Sequence, residues 1–437
     1  MTEPTPTRPP PEAVAPRAGE GLTPPVFRLL FFCLSIVGVG NSMLFSVLPP
    51  IARETGMPDW AVSAIFTLSA VLWVATSPIW GRVSDEKGRK PLIVLGLSAY
   101  AISTLSFTLV ATLALAGHWN WLLIFLRLAT ARSLFGAMGS ATNPATQAYV
   151  ADATPPETRT REIAAVTSAF AFGSAGGPAL AALMVAQFGL LAPLWAVSAL
   201  AGLGALAAAL RLPAHGSAGV REAPPLKSAA PGSIWRVASL PAVRPWLIFG
   251  IALSAVTAVM GQMLTFYLMD TLDLTPREGA AQAAVAFALG ALAQIVAQIG
   301  LIPRLSLSPR GLIVAGTIIT ALGAFLTAAG GTFGVLAAAQ MLIGLGFGLA
   351  RPGFTGGASL AVDPDQQGVI AGLVVAANGA GFVVAPIFGA GLYALVSPQA
   401  PFWLCAIVLC LLAGYGLSSR RLRGLPLAES PPDQMAG

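Results

Sequence analysis

The chain predicts an all-α membrane protein, with twelve transmembrane helices arranged as two pseudo-symmetric six-helix bundles. Three observations carry this. Of 437 residues, 56% are hydrophobic and 10% are charged, against about 25% charged in soluble domains. The apolar residues gather into runs of about 20, the length that crosses a bilayer as a helix. The longest polar interruption, Leu212 to Val243, falls between the sixth run and the seventh.

The spans read as 26–48, 61–82, 91–114, 120–147, 163–187, 191–211, 244–269, 280–302, 311–330, 333–358, 367–394 and 400–418. Span one follows a Pro-rich polar run, 1–25, of a composition that stays disordered. No cleavable signal peptide is visible in it. Span two ends at a basic loop holding Arg82, Lys87, Arg89 and Lys90. Spans three and four meet near His118, with Trp119 and Trp121 as interfacial anchors. Arg159 and Arg161 follow span four, and spans five and six complete the first bundle, 26–211. The linker 212–243 holds Arg211, Arg221, Lys227, Arg236 and Arg244 within it or at its edges. Span seven opens the second bundle, 244–419, beside Trp246. Spans eight and nine flank Arg304 and Arg310, and Trp403 marks the start of span twelve. Arg420, Arg421 and Arg423 begin the tail, 420–437. Loops of the opposite parity hold only Arg53 and Arg277, so positive-inside logic places both termini, the linker and both tails in the cytoplasm.

A weak repeat supports two bundles. Arg132, Gly136 and Asn143-Pro144 in span four have the same offsets as Gln340, Gly344 and Arg351-Pro352 in span ten. Parallel six-helix halves with the solute between them are a known transporter plan.

Composition excludes other classes. Cys33, Cys405 and Cys410 lie in apolar runs without metal-ligand spacing, and His118 and His215 lie in loops. No metal site and no cofactor is expected. Gly344 to Gly348 lacks the Lys-Ser/Thr ending of a phosphate loop, and no nucleophile–base pair appears, so the chain does not read as an enzyme. The net charge of +6 is distributed for lipid, not nucleic acid.

The loop after span two reads Gly81-Arg82-Val83-Ser84-Asp85-Glu86-Lys87-Gly88-Arg89-Lys90. A Gly ending span two admits a close neighbour, Asp85 suits the start of the next helix, and Gly88 suits a tight turn. The pattern G-x-x-x-D-x-x-G-R-K resembles the signature loop of the major facilitator superfamily. Span five holds Gly173, Gly176, Gly177 and Pro178, similar to the exporter motif of that superfamily, with alanines at its last two glycines. Arg132 with Gly136 looks like its Arg-x-x-x-Gly element. The run from Tyr149 to Met184 resembles the twelve-span drug–proton antiporters of the tetracycline-exporter type.

The resemblance implies the following. Gly81, Asp85, Gly88 and Arg89 form a cytoplasmic gate element, with Asp152 as a partner for Arg89. Gly173, Gly177 and Pro178 seal the path against proton leak. Small organic compounds are exported by proton-coupled alternating access from a bacterial inner membrane. The expected partners are a small-molecule substrate, the proton and the bilayer, and the expected state is a monomer.

Two departures stand out. Val37 occupies the place of the usual carboxylate in span one, and Glu86 replaces a basic residue. Asp152, Glu162 and Asp270 lie near span ends, so no acid sits near the midplane. Arg127, Arg132 and Arg351 do lie inside spans, at a cost of about 3 kcal/mol each near the centre. Arg132 and Arg351 are candidate cavity residues, together with Asn41, Asn143, Gln262, Tyr267 and Asn378. Arg127 reads as a snorkelling side chain. Two cationic forks would suit an anionic solute such as a polycarboxylate or siderophore. A non-transporting receptor or scaffold is the alternative from another class.

Overall fold

The computed structural model describes residues 22–117, 119–213, 231–305, 307–363, 366–419 and 422. The expectations for 1–21, His118, His215, Arg221, Lys227, Arg420, Arg421 and the rest of the C-terminal tail lie outside these residues. Twelve helices among them are long and apolar enough to cross a membrane. They are α1 (Pro24–Glu54), α2 (Asp59–Lys87), α3 (Arg89–Leu115), α4 (Trp121–Ala153), α5 (Pro156–Phe188), α6 (Ala192–Arg211), α7 (Arg244–Leu272), α8 (Pro276–Leu305), α9 (Pro309–Ala329), α10 (Phe333–Leu360), α11 (Gln367–Leu395) and α12 (Ala400–Ser418). A short helix, Pro231–Ser239, lies in the linker.

Local chemistry sets the ends. Helices α1, α5, α6, α7, α8, α9 and α12 carry Pro in the first turn, where a missing N–H costs no helical bond. A capping box between Thr275 and Glu278 starts α8. Between α2 and α3 only Gly88 interrupts the helix, with φ at +90°. That conformation is open to Gly and strained for other residues. Asp85 does not cap α3, contrary to expectation. Because α2 continues to Lys87, Asp85 is still helical and its carboxylate turns to Arg89 instead.

Two spans carry prolines that reshape the helix. Pro144 has no N–H for the Ser140 carbonyl, and the helix tightens to a 3₁₀ turn over Gly139–Ala141. Pro303 leaves the Ile299 carbonyl free, and α8 widens to a π turn over Val296–Leu301.

The packing repeats with an offset of six helices. In the first bundle α1 packs on α5, α2 on α4, α3 on α6, and α3 on α4. In the second, α7 packs on α11, α8 on α10, α9 on α12, and α9 on α10. Small residues make this possible: Gly173 lies against the Ser35 backbone, and Gly344 against the backbone of Gly290.

The bundles meet along α2 on α11, α5 on α8, and α1 on α7 and α8. The seam is closed at one end. Between described residues, the hydrogen bonds that join the bundles are Arg53 to Asp270, Thr265 to the Phe45 carbonyl and Arg277 to the Ala186 carbonyl. All lie toward the face opposite the α2–α3 turn. Burial follows the same division. In α2, Ala61 to Phe66 is largely buried, but after Ser69 only Ser84 is. In α8 buried residues run from Gly279 to Ala293, and beyond that only Ala297 is buried. The seam is therefore tight at the far face and loose at the α2–α3 face.

Candidate functional site

Arg132 sits eleven residues into α4, about 17 Å along the helix. Its guanidinium is buried, donates from Nη2 to Asn41 Oδ1 on α1, and lies 4.6 Å over the Phe135 ring and 5.8 Å from that of Phe66. Its Nε has no partner among the described residues. Beside it is a cavity of about 10 Å³ lined by Gly40, Tyr100, Ser103 and Thr104 among others, room for about one water. Aromatic faces and an amide thus hold this cation, and among the described residues no carboxylate does.

Arg351, on α10, is half-buried and makes no hydrogen bond or ion pair to a described residue. The structure brings Arg132 to Asn41, not to Arg351. Asn143 is half-buried and accepts from Gln147 Nε2 at 3.3 Å. Asn378 is exposed on α11, and its backbone carbonyl accepts from Ser254. Gln262 is fully buried, and neither amide atom has a partner among the described residues. Leaving such groups unsatisfied costs about 1–3 kcal/mol each. Tyr267 is a correction to the sequence reading. It packs inside the second bundle, 4.7 Å from the Phe402 ring of α12, and is not exposed to any cavity. Arg127 is exposed and stacks 4.0 Å over Trp119, as a snorkelling residue does.

The four ion pairs among described residues form two clusters at opposite faces. At the α2–α3 face Arg89 donates from Nε to Asp152 Oδ2 at 2.9 Å and from Nη1 to Asp85 and to Ser84. Sequence reasoning found this cluster. It also expected a close helix against Gly81, yet a side chain at Gly81 would meet nothing within 4 Å. The loose seam at this face explains the difference.

At the far face Arg53 donates to Asp59 from Nε and Nη2, both at 2.7 Å, and to Asp270 from Nη1 and Nη2 at 2.9 and 3.0 Å. Tyr393 donates to Asp270 as well, and Arg53 lies 5.3 Å over the Phe266 ring. Arg53 and Asp59 belong to the first bundle; Phe266, Asp270 and Tyr393 belong to the second. Sequence reasoning missed this cluster. The only signal was that Arg53 breaks the charge rule for its face.

The motif on α5 sits against α1. A side chain at Gly173 would collide with the Ser35 carbonyl, and one at Gly177 would lie 2.6 Å from the Val39 carbonyl oxygen. Gly173, Gly177 and Pro178 are all buried. Acids in the spans stay near the ends, Asp85 and Asp152 at one face and Asp59 and Asp270 at the other.

Comparison with known proteins fits this architecture. The family model described as Major Facilitator Superfamily matches residues 30–309 and 301–432. The tetracycline resistance protein, class C, of Escherichia coli is 25% identical over 378 residues, covering 83% of this chain and 87% of the relative. Multidrug resistance protein 2 of Bacillus subtilis (strain 168) is 25% identical over 399 residues, covering 90% and 94%. Among solved structures, the human organic anion transporter MFSD10 (TETRAN) superposes with a TM-score of 0.61 at 18% identity, over 90% of this chain and 100% of that one.

Proposed function

The chain belongs to the Major Facilitator Superfamily, and from that membership we propose that it exports small organic compounds of the multidrug or tetracycline type by proton-coupled alternating access. As a member it is a multi-pass membrane transporter of small molecules and not an enzyme. The observation that carries the export reading is the α1–α5 seam. Gly173 and Gly177 put two backbones in contact along the helix that carries the exporter motif, as a seal against proton leak requires. The similarity to tetracycline and multidrug resistance proteins over most of the chain supports the same reading.

In this reading the α2–α3 face is cytoplasmic, the protein is a monomer of the inner membrane, and the described state is open to the cytoplasm. Solute enters between the loose ends of α2, α11, α5 and α8. It reaches the region of Asn41 and Arg132, and the bundles then rock to expose it to the far side. Proton exchange falls to the span-end acids Asp152 and Asp270, since the described spans hold no acid near the midplane.

A second reading rests on Arg351. An unpaired cation in a span is costly, and an anionic solute such as a polycarboxylate or siderophore would neutralise it.

Flux decides between the two. Inverted vesicles with an acid interior are expected to accumulate tetracycline or a lipophilic cationic drug above the level of vesicles without the protein. Failure of such compounds, with uptake of an organic anion that Arg351→Gln abolishes, would replace the first reading by the second. No flux of any compound would favour a receptor.

A further inference from the structure

We propose that Arg53, Asp59, Asp270 and Tyr393 form a two-position ionic gate, in which Arg53 bridges the bundles to seal the far mouth and is left with Asp59 alone when that mouth opens. This deepens the alternating-access reading and rests on it, though not on any particular substrate.

The geometry has the parts a two-position gate needs. Arg53 is the last basic residue of α1, and it presents donors to acids in both bundles at once. On α7 the two groups it touches, Phe266 and Asp270, lie one turn apart on one face. Separation of the bundles breaks the Asp270 bonds and the ring contact. It leaves neither partner without a hydrogen bond, because Asp59 keeps Arg53 and Tyr393 keeps Asp270. Opening therefore abandons no buried charge, the condition that would make it prohibitive. The cluster is half-exposed, with side-chain exposures of 34% for Arg53, 22% for Asp59 and 30% for Asp270, so water reaches the groups as they part. Glu54, next along α1, is exposed and is not bonded into the cluster. Below the ion pairs, Thr265 donates to the Phe45 carbonyl at 2.7 Å. That contact gives the seal a second layer between α7 and α1.

This arrangement predicts opposite effects for the two acids. Removing Asp270 weakens closure alone. Removing Asp59 takes away the resting place of Arg53 in the open state and so favours closure. A passive helix-end charge pair predicts no such opposition.

The test measures the mouth directly, in the full-length protein in nanodiscs. Spin labels at Glu54→Cys and Val396→Cys, in a Cys410→Ser background, report the separation of the bundles at the far face by pulsed electron resonance. Asp270→Asn is expected to raise the population of the long distance about three- to tenfold, the range for a charge-assisted bond that is partly exposed. Asp59→Asn is expected to lower it, and Tyr393→Phe, which removes the partner Asp270 keeps when the mouth opens, to lower it by less. Melting curves on the same samples separate gate effects from misfolding. The proposal is overturned if folded Asp270→Asn and Asp59→Asn protein shift the distances the same way, or not at all. A shift of opposite sign in protein that moves no tested drug would leave the gate standing and remove only the substrate reading.

Discussion

The two faces of the molecule hold the same chemical device, an arginine between two aspartates, wired differently. At the α2–α3 face Arg89 binds Asp85 and Asp152, and all three lie in the first bundle. At the far face Arg53 binds Asp59 of its own bundle and Asp270 of the other. The first cluster ties α2, α3 and the end of α4 into one rigid piece whatever the second bundle does. The second exists only while the far ends touch. What decides whether such a cluster braces a bundle or joins two is which helices carry the acids, not the strength of the bonds. The glycines agree. Gly81, beside the bracing cluster, has no neighbour, whereas Gly261, on the closed part of the seam, lies 3.8 Å from Phe45 as measured to a built side-chain carbon.

This contrast assumes that each bundle moves as one body, and the sharpest way to break it is at the α1–α5 seam. Gly177→Leu would drive a side chain into the Val39 carbonyl and Ser42. Backbone cannot yield as a side chain can, so the cost is expected at the upper end of overpacking, about 3 kcal/mol or more. The readout is loss of monodisperse protein and a lower Tm. Gly176→Leu, one residue away and facing open space, is expected to melt like wild type. Equal melting of both variants would mean that the seam is not tight and that bundle motion need not be concerted.

A second, smaller effect tests the brace. Gly88 joins α2 to α3 at φ +90°, and Gly88→Ala is expected to destabilise the protein by about 1–3 kcal/mol through backbone strain alone. The measurement is thermal melting of detergent-solubilised protein. Because Gly88 lies outside the seam, the far-face distance distribution should not change. A change there would show that the brace and the gate are coupled within one state.

How much of this was legible follows from how far apart in sequence the partners lie. The twelve spans were readable because hydropathy is local, and the α2–α3 cluster because ten consecutive residues carry most of it. Asp152 was found too, since it ends the span that packs beside that loop. The Arg53–Asp270 bond joins positions 217 apart, and neither residue has a local pattern that points to the other. Tyr267 was misplaced for a related reason. A span shows which residues are polar but not which side of the helix meets the neighbour. Polar residues such as Ser254, Gln262 and Thr265 lie along α7, and nothing in the sequence placed Tyr267 toward α12 instead of α1. The extent of α1 was also short in the sequence reading, which ended at residue 48. The helix continues through Pro49 and Pro50 to Glu54, and that extension is what carries Arg53 to its partners.

The smallest predicted effect is also the most discriminating between the two faces. Arg89→Gln removes the bonds to Asp85 and Asp152, yet Arg89 is partly exposed and its acids are 68% and 50% exposed. Ion pairs of that exposure contribute about 0–1 kcal/mol, so Tm should fall by only a degree or two. If Arg89 acts only as a brace in this state, the spin-label distances at Glu54→Cys and Val396→Cys should stay as in wild type, unlike those of Asp270→Asn. If it also joins the bundles in the opposite state, closure of the α2–α3 face should become rarer, and the short far-face distance should gain population. Arg89→Gln and Asp270→Asn would then push the same equilibrium in opposite directions. The double variant would return near the wild-type distribution, by an amount equal to the sum of the two single shifts, because the sites share no contact.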